Sequence, residues 1–129
     1  MKIYEYVITV GREDIDELEH VNNVRYVQWV QDAAEAHWNA LATDEMKARY
    51  IWMVLSHQIS YKGQAFEQDR IRIKTYVTHS EGVTSRRVVE MYQEPSNRLL
   101  VKAQTDWCLL GKESKRPARL TEALIELFQ

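Results

Sequence analysis

The chain has 129 residues, a formal net charge of -2 and one cysteine, Cys108. That length fits one domain spanning residues 1–129, able to bury roughly two-thirds of its unfolded surface. The charge offers no whole-protein attraction for nucleic acid, and a lone cysteine excludes an internal disulfide or a cysteine metal cluster and suits a reducing, cytoplasmic setting.

Ile3 to Val10 is rich in Tyr, Val, Ile and Thr and reads as a strand; the charges flanking it leave no signal-peptide core. No apolar run anywhere approaches the ~18 residues of a membrane span, so no membrane partner is expected. Gly11 to Asn22 is polar and acidic and reads as a loop. A long helix follows. Val27, Val30, Ala34, Trp38 and Leu41 recur at three- and four-residue steps, and Tyr26, Ala33 and His37 widen that stripe. Arg25, Gln28, Asp32, Glu35 and Asn39 fall on the opposite face. Asn22 or Asn23 is expected as the N-cap, its side-chain oxygen taking an orphan N–H of the first turn.

Thr43 to Arg49 reads as a polar bridge with a helical turn. Ile51 to Tyr61 is a second strand, with Met53, Leu55, His57 and Ile59 expected on one face. Arg70 to His79 alternates cleanly, Ile71, Ile73, Thr75 and Val77 against Arg70, Arg72, Lys74 and Tyr76. Glu81-Gly82 is a turn, Thr84 to Gln93 a strand, Glu94 to Asn97 a hairpin loop and Arg98 to Leu110 a last strand. Thr121 opens a short terminal helix. One long helix and five strands joined by hairpins predict an α+β fold, the helix covering one face of a mostly antiparallel sheet. The bare sheet edges and second face make self-association an expectation.

The chemistry concentrates at Asp16-Glu-Leu-Glu-His20-Val-Asn22-Asn23. A carboxylate and an imidazole stand four residues apart at the mouth of the helix, the groups that acid–base chemistry needs. Tyr26 and Trp38 are expected in the core with Trp29 at its margin, Asp32 and Glu35 in solvent, His57 on a strand face with a local partner, and Cys108 as a small buried group.

These residues also carry a family resemblance. Arg12-Glu-Asp14-Ile-Asp16 resembles the D-x-D turn of hotdog-fold thioesterases, the group of 4-hydroxybenzoyl-CoA, short acyl-CoA and plant acyl-ACP thioesterases. His20-Val21-Asn22-Asn23-x-x-Tyr26 resembles their H-V-N-N-x-x-Y element. Ile59-Ser60-Tyr61-Lys62 and Arg116-Pro117-Ala118-Arg119-Leu120 resemble later segments in the same order. The resemblance implies a hotdog fold, a homodimer or homotetramer, and hydrolysis of an acyl-CoA or acyl-ACP thioester, coenzyme A being favoured. It implies no cofactor and no metal. Asp16 aligns with the family's catalytic aspartate, acting as general base or nucleophile, and His20 with its histidine.

The chain departs from the family at four points. Leu18 stands where plant enzymes carry asparagine, Glu19 where many bacterial members carry glycine, Gln64 where a proline is common, and Gln68-Asp69 where a Gly-Asp turn is usual. The resemblance implies an oxyanion donor in a turn before the second strand, near Ile51 to Met53; the free N–H groups of Asn23 to Arg25, aided by the helix dipole, are another candidate. Asn23, Tyr26 and Trp52 are the candidate substrate contacts. Arg86 and Arg87 are candidates for the phosphates of coenzyme A, as are basic residues between Arg98 and Arg119, where six basic residues face two acidic ones. The competing expectation is a non-catalytic module that binds an acyl-CoA or another small ligand. A hotdog hydratase fits less well, because its aspartate and histidine stand five apart.

Overall fold

The structure, a computed structural model, describes residues 1–129 throughout. In chain order the elements are β1 (Tyr4–Thr9), a 3-10 turn (Arg12–Asp14), α1 (Asn23–Leu41), α2 (Asp44–Arg49), β2 (Tyr50–Tyr61), β3 (Arg70–Glu81), β4 (Thr84–Glu94), β5 (Arg98–Gly111) and α3 (Glu122–Leu127). The strands form one antiparallel sheet in the order β1-β3-β4-β5-β2. α1 lies along one face of it, the hotdog arrangement. The polar bridge after α1 is the short helix α2, capped by Thr43 Oγ1, which accepts from Met46 N–H at 3.1 Å.

Asn22 caps α1, its Oδ1 accepting from Val24 N–H at 3.0 Å. The buried stripe is Tyr26, Trp29, Val30, Ala33, Ala34 and His37. It is turned by about one residue from the predicted one: Trp29 is in the core rather than at its margin, while Val27, Trp38 and Leu41 are only half-buried. The reason is what the helix meets. Its stripe lands on Ile71, Ile73, Val89, Met91, Val101 and Ala103 of the three central strands, and each large side chain fully buried there contributes roughly 1.5–3 kcal/mol. Trp38 leans past that contact toward Trp52 and Phe128, with ring centroids 5.8 and 6.4 Å away.

β2 corrects a second expectation. The ladder with β5 pairs Val54 with Trp107 and then Ser56 with Asp106, so Leu55 is an extra, unpaired residue. A bulge of one residue reverses the alternation beyond it. His57 and Ile59 therefore turn toward α1, whereas Met53 and Leu55 are exposed, at 44% and 51%. Strict period-two reading had placed all four together. The sheet's outer face is polar: Arg72 pairs with Glu94 and Arg86 with Asp106, both at 2.9 Å, and the hydroxyls of Tyr76 and Tyr92 donate to Glu90 at 2.6 Å.

Two of the departures from the family pattern now have a physical meaning. Glu19 and Gln68, which stand where glycines are usual, have φ of 65° and 75°. That left-handed region costs an L side chain roughly 1–2 kcal/mol and glycine nothing. The backbone keeps the turn, and the side chain bears the strain.

Candidate active site

The loop between β1 and α1 closes on itself. Ile15 and Val21 form an antiparallel bridge. Inside it, Asp16 N–H donates to His20 O at 3.0 Å and Glu19 N–H to Asp16 O at 3.1 Å. Asp16 and His20 are thus neighbours across a tight turn, not along a helix. His20 Nδ1 stands 4.0 Å from Asp16 Oδ1, and both side chains are partly open, at 20% and 24% exposure. Glu19's left-handed backbone makes that turn.

The carboxylate is half-committed. Asp16 Oδ1 accepts from Leu18 N–H at 2.8 Å, and Oδ2 accepts nothing from the chain. His20 Nδ1 is 3.3 Å from Val21 O; a carbonyl can only accept, so Nδ1 is the donor of that contact, and in the neutral ring Nε2 then carries the lone pair. Just beyond, Asn22 takes Val24 N–H with its side chain and Arg25 N–H with its carbonyl at 2.9 Å. Of the N–H groups expected to be free at this helix end, Asn23 alone lacks an acceptor in the chain. A free carboxylate oxygen, an imidazole lone pair and a helix N-terminal N–H therefore share one small region.

Asp14 is a part that sequence reasoning did not single out. It is 5% exposed. Its Oδ2 accepts from Gly11 N–H at 2.9 Å, its Oδ1 from Arg25 Nε at 2.7 Å, and its carbonyl from Asn22 N–H at 2.9 Å. It ties the loop to the first turn of α1. The two aspartates of the D-x-D turn thus differ: both oxygens of Asp14 are taken within the chain, and Oδ2 of Asp16 is not; the clue lay in Arg25, eleven residues on in a polar stripe. Tyr26 is scaffold too. It is 2% exposed, and its hydroxyl oxygen accepts from Ala65 N–H at 3.0 Å, while Ala65 O accepts from Val21 N–H at 2.9 Å. Those two bonds dock the Tyr61–Asp69 segment on the Asp16 loop. Burial raises the Tyr26 phenol pKa above its ordinary value, so the hydroxyl stays neutral. A groove lined by Tyr61, Lys62, Gly63, Gln64, Phe66 and Arg98 opens there.

The remaining candidates lie elsewhere in the chain. Ile51 to Met53 are not a turn but run inside β2, opposite Leu110, Leu109 and Cys108. Along that strand Trp52 stands ~30 Å from Tyr61, at ~3.3 Å per residue. Trp52 lines a second cavity, of about 480 Å³, under the C-terminal half of α1, with Trp38, Trp107, Phe128 and Arg87 among its other walls. Arg86 and Arg87 alternate across the sheet: Arg86 pairs with Asp106 on the outer face, and Arg87 is buried on the helix side. They do not converge on one phosphate. Arg87 Nη1 donates to His37 Nδ1 at 2.9 Å and to Thr75 Oγ1 at 3.1 Å. Burial, then the Arg87 charge, pushes the His37 pKa down to about 4, so the ring is neutral and accepts. His57 has its local partner, Thr105 Oγ1 at 2.7 Å from Nδ1, and Cys108 is buried at 4%.

A family model described as the thioesterase-like superfamily matches residues 10–128. No curated protein matches the sequence. Among solved structures, a 1,4-dihydroxy-2-naphthoyl-CoA thioesterase from Synechocystis superposes with a TM-score of 0.83 at 18% identity, covering 98% of this chain and 96% of that one. A probable thioesterase from Escherichia coli gives 0.81 at 20% identity, over 95% and 94%. A hypothetical protein from Staphylococcus aureus, solved in complex with CoA, gives 0.85 at 15%, over 98% and 81%. At such identities the likeness is one of fold.

Proposed function

Because the chain belongs to the thioesterase-like superfamily, we propose that it hydrolyses an acyl-CoA thioester to the free acid and thiol, with Asp16 as the acting carboxylate. The observation that carries this reading is the free Oδ2 of Asp16, held in a closed turn beside His20 and the unpartnered N–H of Asn23. Oδ2 either takes a proton from an attacking water and passes it to the leaving thiolate, or attacks the carbonyl itself, expelling the thiolate and leaving a mixed anhydride that water then cleaves to the free acid. The Asn23 N–H, at the positive end of α1, faces the charge that develops on the carbonyl oxygen. His20 Nε2 orients the attacking water by accepting a hydrogen bond from it. Lys62 and Arg98, in the adjoining groove, offer cations to the phosphates of coenzyme A, which favours that carrier.

The working unit in this reading is a homodimer built through β2. That strand is an edge of the sheet, twelve residues long, with Met53, Leu55 and Tyr61 exposed on it. Long, flat, apolar edges are templates for pairing. A two-fold axis near the middle of β2 sets the first half of one copy beside the last half of the other. The Trp52 cavity of one protomer then opens near the Asp16 loop of its partner, joining two features that lie ~30 Å apart along the strand in one chain.

The test is release of free thiol from a panel of acyl-CoA thioesters. Asp16→Asn keeps an acceptor for Leu18 N–H and so keeps the turn, yet removes the base; activity is expected to fall by at least about a hundredfold. Full activity in Asp16→Asn refutes the role, and ligand-dependent stabilisation without turnover of any thioester favours a binding module instead.

A further inference from the structure

Arg87 presents an anomaly that the hydrolysis itself does not use. It is 5% exposed, and burial lowers its pKa only to about 10, so it is charged at neutral pH. None of the chain's ion pairs includes it. Its two hydrogen bonds go to neutral groups, and both leave from Nη1. One face of the guanidinium lies over Phe128, 5.1 Å from the ring centroid. An uncompensated cation in such a place is unfavourable to bury and calls for an anion.

Its Nε and Nη2 have no partner in the chain. They are not sealed in either, because the one buried side-chain nitrogen or oxygen without a partner is Trp107 Nε1. The two free nitrogens therefore reach open space, and the space Arg87 lines is the 480 Å³ cavity. Two parallel N–H donors on a fixed plane match the two oxygens of a carboxylate. Trp38, Trp52, Trp107 and Phe128 give the cavity a wall for hydrocarbon or a ring, while Lys47, Lys112 and Glu35, which are half-buried or exposed, also line it. Of the three cations on that lining only Arg87 is buried, and it balances one negative charge.

We propose that this cavity is an acyl-group subsite in which Arg87 binds a carboxylate at the far end of the acyl chain, so that the preferred substrates are thioesters of dicarboxylic acids. Naming an acyl group as the occupant rests on the hydrolase reading above, whereas anion binding by Arg87 does not. His37 and Thr75 act as positioning residues: they hold Nη1 and aim the other two nitrogens outward.

Three of the four tryptophans line the cavity, so intrinsic fluorescence reports its occupancy. Benzoate is expected to change that fluorescence saturably, and its uncharged isostere benzamide at least tenfold more weakly. This control reads the charge requirement in the unaltered protein, and so does not depend on Arg87→Met folding; in that variant, where folded by circular dichroism, the benzoate response is lost. With thioesters, glutaryl-CoA is expected to exceed hexanoyl-CoA at least tenfold in kcat/KM, and Arg87→Met to abolish the preference. Equal binding of benzoate and benzamide overturns the proposal, as does a response to inorganic phosphate or coenzyme A with none to benzoate. Hydrolysis without a charge preference overturns the subsite and leaves the hydrolase standing. Saturable benzoate binding with no thioester turned over supports the anion site and refutes the hydrolase.

Discussion

His37 offers a sharp test of the buried polar system under α1. The ring is 1% exposed, stacked 5.5 Å from Tyr4 and edge-on 5.0 Å from Phe128, and it accepts from Arg87. Burial first, then Arg87, then Lys2 hold its pKa at about 4, against 6.5 when free. On acidification the unfolded chain takes up this proton before the folded one does. The folded state is therefore fully favoured above pH 6.5 and loses that advantage as pH falls from 6.5 toward 4. At pH 5 the linkage amounts to about 2 kcal/mol, rising to about 3 kcal/mol at the acid limit. Against a typical domain stability of ~5–15 kcal/mol this is a large term. The assay is urea unfolding at pH 7.5 and 5, in wild type and His37→Gln, at one protein concentration because the apparent stability of the proposed dimer would depend on it. Gln keeps an oxygen to accept from Arg87 and cannot titrate. The variant is expected to lose about 2 kcal/mol less than wild type over that interval. His57, also lowered by burial, contributes equally to both proteins and cancels. Equal losses in the two proteins, or a His37 ring that titrates near 6.5 by NMR, would refute the reasoning.

Other perturbations have definite signs. Glu19→Gly relieves a left-handed residue at φ 65° and should stabilise the protein by up to about 1 kcal/mol in urea unfolding, part of the relief being offset by the freer unfolded chain. Tyr26→Phe strips the acceptor from the buried Ala65 N–H and should cost roughly 1–3 kcal/mol by the same measurement. Asp14→Ala leaves Gly11 N–H and the Arg25 guanidinium without their acceptor; a loss of roughly 2–3 kcal/mol is expected, below the range for fully buried pairs because Arg25 is partly exposed. Met53→Lys with Leu55→Lys places like charges on the proposed β2 seam, and light scattering should then read the 15.3 kDa chain mass where wild type reads twice it.

The sequence by itself determined the elements and their order, because helix and strand periods are local properties of side-chain alternation. It also pointed to a cluster of candidate acid–base groups, since Asp16, His20 and the Asn22 cap are close in the chain and need no distant partner to be recognised. What it could not decide was everything that depends on which residues meet across the sheet. Met53 and Leu55 read as partners of His57 until a single unpaired residue in β2 reversed the alternation, and that bulge exists only in the pairing with β5. The helix stripe turned by one residue because the central strands, not the periodicity, chose the face. Arg86 and Arg87 read alike as neighbouring cations; their opposite faces, and the buried, half-unpartnered state of Arg87, come from strand geometry and from contacts with His37 and Thr75 tens of residues away. Even the Asp16–His20 turn kept part of its meaning for the tertiary structure. Two aspartates look equivalent in the D-x-D run, and only the meeting with Arg25 and Gly11 commits Asp14 to the scaffold and leaves an oxygen of Asp16 free.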